Sequence, residues 1–178
     1  MESQGNGRRI RRIHLAGGCF WGLEKYMSLI PGVVSTQVGY ANGRTEKPTY
    51  EEVCYEKTGH AETVLVTYEP ERMPLSRLLT LYFDAIDPLA KNRQGFDIGP
   101  QYRTGIYYED EEDREIAETA VAELQKKFGK PVMIEVVPLE NYDPAEEHHQ
   151  KYLEKNPGGY CHIGRDAFAK VRGKVETL

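Results

Sequence analysis

The stretch RRIHLAGGCFWGLEKYMSLIPG, residues 11–32, changes its hydrophobic period partway along. Arg11 to Ala16 alternates well enough to predict a strand, and Gly17-Gly18 interrupts it. From Cys19 onward, apolar residues recur at Phe20, Leu23, Tyr26, Met27 and Ile30, a helical spacing that Pro31-Gly32 brings to an end. The reading is a strand that turns directly into a helix, with a cysteine at the join.

The pattern continues on both sides of that join. Val33 to Tyr40 predicts a strand, Tyr50 to Cys54 a short helix within a polar stretch, and Glu62 to Glu69 a strand ended by Pro70. Leu75, Leu78, Leu79, Tyr82 and Ile86 predict an amphipathic helix over 74–86. Residues 87–103 read as a loop long enough to be functional. Thr104 to Tyr108 predicts a strand, and 110–128 a helix with acids in its first turn, lysines in its last and Gly129 beyond. A strand over 132–137 and a helix over 144–154 follow, and 155–178 reads as mostly irregular. Interleaved strands and helices with short connections give an α/β or α+β domain in two layers. The strand order is not readable from the pattern. Residues 1–9 are expected to be a mobile tail and 10–178 a single domain.

Composition narrows the class. A chain of 178 residues with 39% hydrophobic and 29% charged residues fits one globular domain. No apolar run approaches the ~20 residues of a membrane span, and the N-terminus lacks a signal peptide's apolar core. A net charge of −5 argues against nucleic acid as a partner, and the one basic cluster, Arg8, Arg9, Arg11 and Arg12, reads as a solvated end. Cys19, Cys54 and Cys161 are odd in number and widely spaced, which points to a reducing compartment, the cytoplasm.

Of the three cysteines, Cys19 has the setting of a reactive one. GGCFWGLE, residues 17–24, puts it at a helix N-terminus, where free N–H groups and the dipole favour a thiolate. The two glycines allow a substrate to come close to the backbone, and Phe20 and Trp21 can wall an apolar pocket. The alternative is an inert cysteine on a packing face. Cys54, beside Val53 and Tyr55, reads as a packing residue of that kind.

GCFWG (18–22) resembles the active-site motif of the A-type peptide methionine sulfoxide reductases. PTYEEVC (48–54), TGHAE (58–62), FDIGPQYRTGIYY (96–108), AEEHHQKYL (145–153) and GGYCHI (158–163) follow in that family's order. The resemblance implies an α+β fold, a single-domain two-layer α/β sandwich with a ferredoxin-like core and an irregular C-terminal segment carrying Cys161. It implies thiol-dependent reduction of free and peptide-bound methionine (S)-S-oxide to methionine, in repair of oxidised proteins. Cys19 is then the nucleophile and Glu62 the acid that protonates the oxygen. Tyr50 and Tyr102 point hydroxyls at that oxygen, while Phe20, Trp21 and Asp97 bind the substrate. Cys161 resolves the sulfenic acid to a disulfide, reduced by thioredoxin or another dithiol. No cofactor, metal, nucleic acid or membrane is implied, and a monomer is expected.

The chain departs from the family at a few points. The tail GRDAFAKVRGKVETL has no cysteine, which favours a two-cysteine cycle over a three-cysteine relay. Asn42 replaces a common glycine, and His148 stands where an aromatic is common. A zinc module built from Cys54, His60, His148, His149, Cys161 and His162 is disfavoured, because no Cys-x₂-Cys pair occurs. A thiol peroxidase and a non-catalytic binding protein with a retained pocket stay open as alternatives.

Overall fold

The structure, a computed structural model, describes residues 9–164, 167–169 and 171. Most of the predicted N-terminal tail, Arg8 included, lies outside the described residues, as does most of the segment after Gly164. The strand predicted from the opening stretch is β1 (Arg11–Ala16), and the helix is α1 (Phe20–Ser28) with Cys19 at its N-cap. The chain continues through β2 (Val33–Ala41), α2 (Tyr50–Tyr55), β3 (Ala61–Tyr68) and α3 (Leu75–Ala85). A two-residue hairpin, β4 (Arg93–Gln94) and β5 (Asp97–Ile98), interrupts the predicted long loop. Next come β6 (Gly105–Tyr108), α4 (Glu111–Gln125), β7 (Glu135–Pro138), β8 (Tyr142–Pro144) and α5 (Tyr152–Lys155).

The main sheet has the order β7-β6-β1-β3-β2-β8. Its central four strands, β6-β1-β3-β2, are mutually antiparallel, which is the split-βαβ arrangement of a ferredoxin-like core. Strand parity explains the core. Ile13, Leu15, Val38, Val64, Val66 and Ile106 face the helices and pack with Leu23 and Met27 of α1 and Leu78, Leu79 and Tyr82 of α3. The other face carries a smaller cluster, Ala16, Ala41, Ala61 and Tyr107, covered by Val137, Leu139 and Tyr142. Both faces of the central strands are therefore covered. The parity also puts Glu62 on the helix side, in step with Val64 and Val66.

The C-terminal third departs from the prediction. Residues 132–134 are not strand, because Val132 N–H donates to the Gln125 side chain and Met133 N–H to the Pro88 carbonyl. Residues 144–154 are not one helix but the end of β8, a 3₁₀ turn at Glu147–His149 and the four-residue α5. Lys151 has φ of 52°, a left-handed conformation that breaks a helix there. Gln150 spends its amide on both backbone groups of Val38, at 2.9 Å each, extending the edge of β2. Arg11 pairs with Asp110 and Asp113, and Arg12 with Glu109, so these two arginines tie β1 to the start of α4.

The join between β1 and α1 is held from behind. Tyr82 Oη on α3 donates to the Ala16 carbonyl at 2.5 Å and lies 3.3 Å from the Gly105 carbonyl, all fully buried. Tyr82→Phe strips those carbonyls of their partner and is expected to cost about 1–2 kcal/mol. Urea denaturation of the two proteins, compared through their midpoints and slopes, measures it.

Candidate active site

Cys19 sits where the sequence placed it, and the turn geometry shows how. Gly18 has φ of 79°, which a side chain would resist, and this delivers Cys19 to the N-cap of α1. The first two N–H groups of α1 divide between the two reactive side chains. Phe20 N–H donates to Glu62 Oε1 at 3.2 Å, and the Trp21 N–H favours ionisation of the Cys19 thiol without forming a capping hydrogen bond to it. Cys19 and Glu62 thus share one helix N-terminus although they come from α1 and β3.

Both groups are buried, at 8% and 1% exposure. Burial pushes the Cys19 thiol up and the Glu62 charge pushes it further, against the Trp21 N–H. The helix N-terminus therefore does not win here: the thiol, not the thiolate, is the favoured resting form. Burial also raises Glu62 to about 8, opposed by the Phe20 N–H and assisted by Asp97. Glu62 Oε2 is buried and has no hydrogen-bond partner. A carboxyl group protonated near neutral pH, with one oxygen uncommitted beside a thiol, is a proton donor waiting for an acceptor.

The tyrosines stand around this pair. Tyr50 opens α2, and Tyr102 ends the 3₁₀ turn Pro100–Tyr102. Burial raises both phenols, and the Glu62 charge raises them further, so both are neutral donors. Asp97 on β5 accepts from Tyr160 Oη at 3.1 Å, and its charge is felt by both Cys19 and Glu62. Trp21 stacks on Tyr152 at 3.8 Å between ring centroids and stays partly exposed, so it offers an apolar wall. Phe20 is 1% exposed and packs between Tyr40 and His149.

Cys161 is half-buried in a loop that packs against the first turn of α1. A Cβ on Gly22 would stand 2.8 Å from the Cys161 sulfur, and Gly22 is one turn on from Cys19. The missing side chain at position 22 is what lets the second thiol lie against α1, close enough for its charge to bear on Cys19.

Two residues here escaped the sequence reading. Cys54, read as packing, is half-buried beside Tyr50 and Tyr102, whose hydroxyls favour its ionised form against burial. The signal was its spacing: Tyr50 and Cys54 are i and i+4 on one short helix. His149 accepts from the Trp21 indole N–H at 3.0 Å through Nδ1 and packs on the Tyr50 ring. Nothing in the sequence singled it out from His148. Among the described residues, no group of three or more His, Cys, Asp or Glu side chains could hold a metal ion.

Residues 11–176 match the family model of peptide methionine sulfoxide reductase. The chain is 60% identical over 162 residues to a peptide methionine sulfoxide reductase MsrA of Lachnoclostridium phytofermentans, covering 91% of this chain and 98% of that one. It is 50% identical to the corresponding protein of Clostridium acetobutylicum, over 90% and 99% of the two chains. Among solved structures, reduced Mxr1 of Saccharomyces cerevisiae superposes with a TM-score of 0.82 at 35% identity, covering 92% of this chain and 96% of that one.

The raised carboxyl has a thermodynamic signature. Native Glu62 keeps its proton up to about pH 8, whereas an unfolded glutamate releases it above about 4.5. The native state therefore binds more protons over that window, and stability falls as pH rises through it. Glu62→Gln removes the penalty. Its stability relative to the parent is expected to rise steadily between about pH 5 and 8 and to level off above, with an upper bound of about 5 kcal/mol. Urea midpoints across that range measure it; a pH-independent difference would contradict the raised carboxyl.

Proposed function

This chain belongs to the peptide methionine sulfoxide reductase family and is an enzyme of that activity, and on that footing we propose how its own residues carry out the reaction. The observation that carries the reading is Glu62 Oε2, a partnerless buried acid oxygen beside the Cys19 thiol. Reduction of a sulfoxide needs a sulfur nucleophile and a proton for a poor leaving oxygen. Cys19 and Glu62 supply both.

Cys19 Sγ attacks the sulfoxide sulfur while Glu62 gives its proton to the oxygen and takes up the proton released by the thiol. Tyr50 and Tyr102 donate to the same oxygen. Trp21 holds the S-methyl group, with Phe20 setting its backing and Asp97 fixing the substrate through hydrogen bonds. The hydroxyl passes to Cys19, leaving methionine and a Cys19 sulfenic acid. The Cys161 thiol then attacks that sulfur, a Cys19–Cys161 disulfide forms and water leaves. An external dithiol returns both thiols.

The yeast relative Mxr1 forms a complex with Trx2, and we assign the dithiol of this chain to a thioredoxin. The substrate is the S epimer, free or in peptides. The cycle uses no cofactor, runs in one catalytic domain over 10–178, and suits a monomer in a reducing compartment such as the cytoplasm, since three widely spaced cysteines do not make a structural disulfide framework.

Incubation of the reduced protein with resolved S and R epimers of N-acetylmethionine sulfoxide and dithiothreitol tests the reading. Consumption of the S epimer alone is expected, and Cys19→Ser should abolish it. Reduction of neither epimer would reject the reading. Cys161→Ser should reduce one equivalent in a single turnover but fail to recycle with thioredoxin. Full thioredoxin-linked turnover by that variant would remove Cys161 from the cycle.

A further inference from the structure

The catalytic thiol is buried, yet its mouth is framed by apolar side chains that nothing covers. Phe96, Ile98 and Tyr160 are 93%, 72% and 44% exposed, and they are half of the exposed large hydrophobic residues among the described residues. They are brought together by the site itself. Phe96 and Ile98 flank Asp97 on the β4–β5 hairpin, and Tyr160 is held to Asp97 by its hydroxyl.

The hairpin is not a loose loop. Gln94 is buried and its amide closes on both backbone groups of Asp87, at 2.8 and 2.9 Å. Its Cβ packs on Gly18, directly before Cys19, within 2.7 Å of where a side chain on that glycine would begin. Gly95 takes φ of 60° and turns the chain so that Phe96 projects at the tip. An anchored turn thus presents two large apolar groups to water beside the reactive sulfur, which is costly unless something covers them.

We infer that Phe96, Ile98 and Tyr160 form a docking rim for the polypeptide on either side of a methionine sulfoxide, favouring sulfoxides flanked by apolar residues in unfolded or exposed segments. The inference rests on the proposed role of Cys19. Its geometric basis is the depth of the thiol: a methionine side chain is short, so for its sulfur to reach Cys19 the flanking chain must lie across the rim. A free amino acid has no such flanks. The rim therefore acts on peptide substrates and not on the chemistry.

The test compares kcat/KM on three substrates with dithiothreitol as reductant, so that no protein reductant takes part. They are N-acetylmethionine S-sulfoxide, a heptapeptide with the S-sulfoxide between leucine and phenylalanine, and one with it between serine and glutamate. The parent should prefer the apolar peptide. The double variant Phe96→Ser, Ile98→Ser should lose roughly tenfold on that peptide while changing less than about twofold on the N-acetyl compound. Val34→Ser, which changes another exposed apolar residue at the far end of β2, should alter neither. An unchanged ratio in the double variant would overturn the rim, as would a defect that appears only when thioredoxin replaces dithiothreitol. Failure of the parent on all three substrates would instead overturn the reading on which the rim rests.

Discussion

One hydrogen bond, from Phe20 N–H to Glu62 Oε1, joins the two halves of the site. Glu62 occupies a core position of β3, where strand parity calls for an apolar side chain. Burying an ionised carboxylate there would be prohibitive, so the group keeps its proton and takes one N–H from the end of α1. That bond only exists if α1 begins at the right place relative to β3. The left-handed Gly18 and the Tyr82 clasp on the Ala16 carbonyl fix that place from the other side. The site is therefore an extension of how the first helix is seated on the sheet.

The wall opposite α1 is built by the segment after β8. Glu146 accepts from Tyr40 Oη at 2.8 Å and from Tyr50 N–H at 3.0 Å, linking β2 to the start of α2. Tyr50 is thereby placed by a carboxylate that itself touches no sulfur. Glu24 accepts from Lys151 N–H at 2.6 Å, and His149 takes the indole N–H of Trp21. The side chains of Glu146, His149 and Gln150 are thus committed to α1, α2 and β2, while Glu147, His148 and Lys151 stay exposed. A regular helix over the same residues would have pointed several of them into water, which is why the helical periodicity lost to the tertiary contacts.

That outcome marks the boundary of what the sequence could disclose. The β1–α1 join, the ranges of the helices α1 to α4 and the positions of Cys19 and Glu62 were legible because each rests on local period or on a motif. The strand order was not, since it depends on pairings such as Gly39 with Pro144, far apart in the chain. The partner of Cys54 was hidden for the same reason: its neighbour Tyr102 comes from a turn after α3. A heptad or strand pattern also carries no information about burial of a single thiol. The helix N-terminus argued for a thiolate, and desolvation, which needs the whole fold to evaluate, outweighs it.

A resting site with both Cys19 and Glu62 protonated has a chemical consequence. The overall exchange, sulfoxide plus thiol to sulfide plus sulfenic acid, needs no net proton from solvent. In the step we propose, one proton leaves Glu62 for the oxygen and one arrives from Cys19, so the carboxyl ends the step as it began. A thiolate at rest would have left Glu62 short of a proton and exposed a reactive nucleophile to other oxidants. Burial thus restrains the thiol until a polarised sulfur and a proton-accepting oxygen arrive together. The proposed second step has the same basis, since Cys161 packs over Gly22, one turn along α1 from Cys19. The thiol we assign to meet the sulfenic acid is already seated against α1, where the missing side chain of Gly22 leaves room for it.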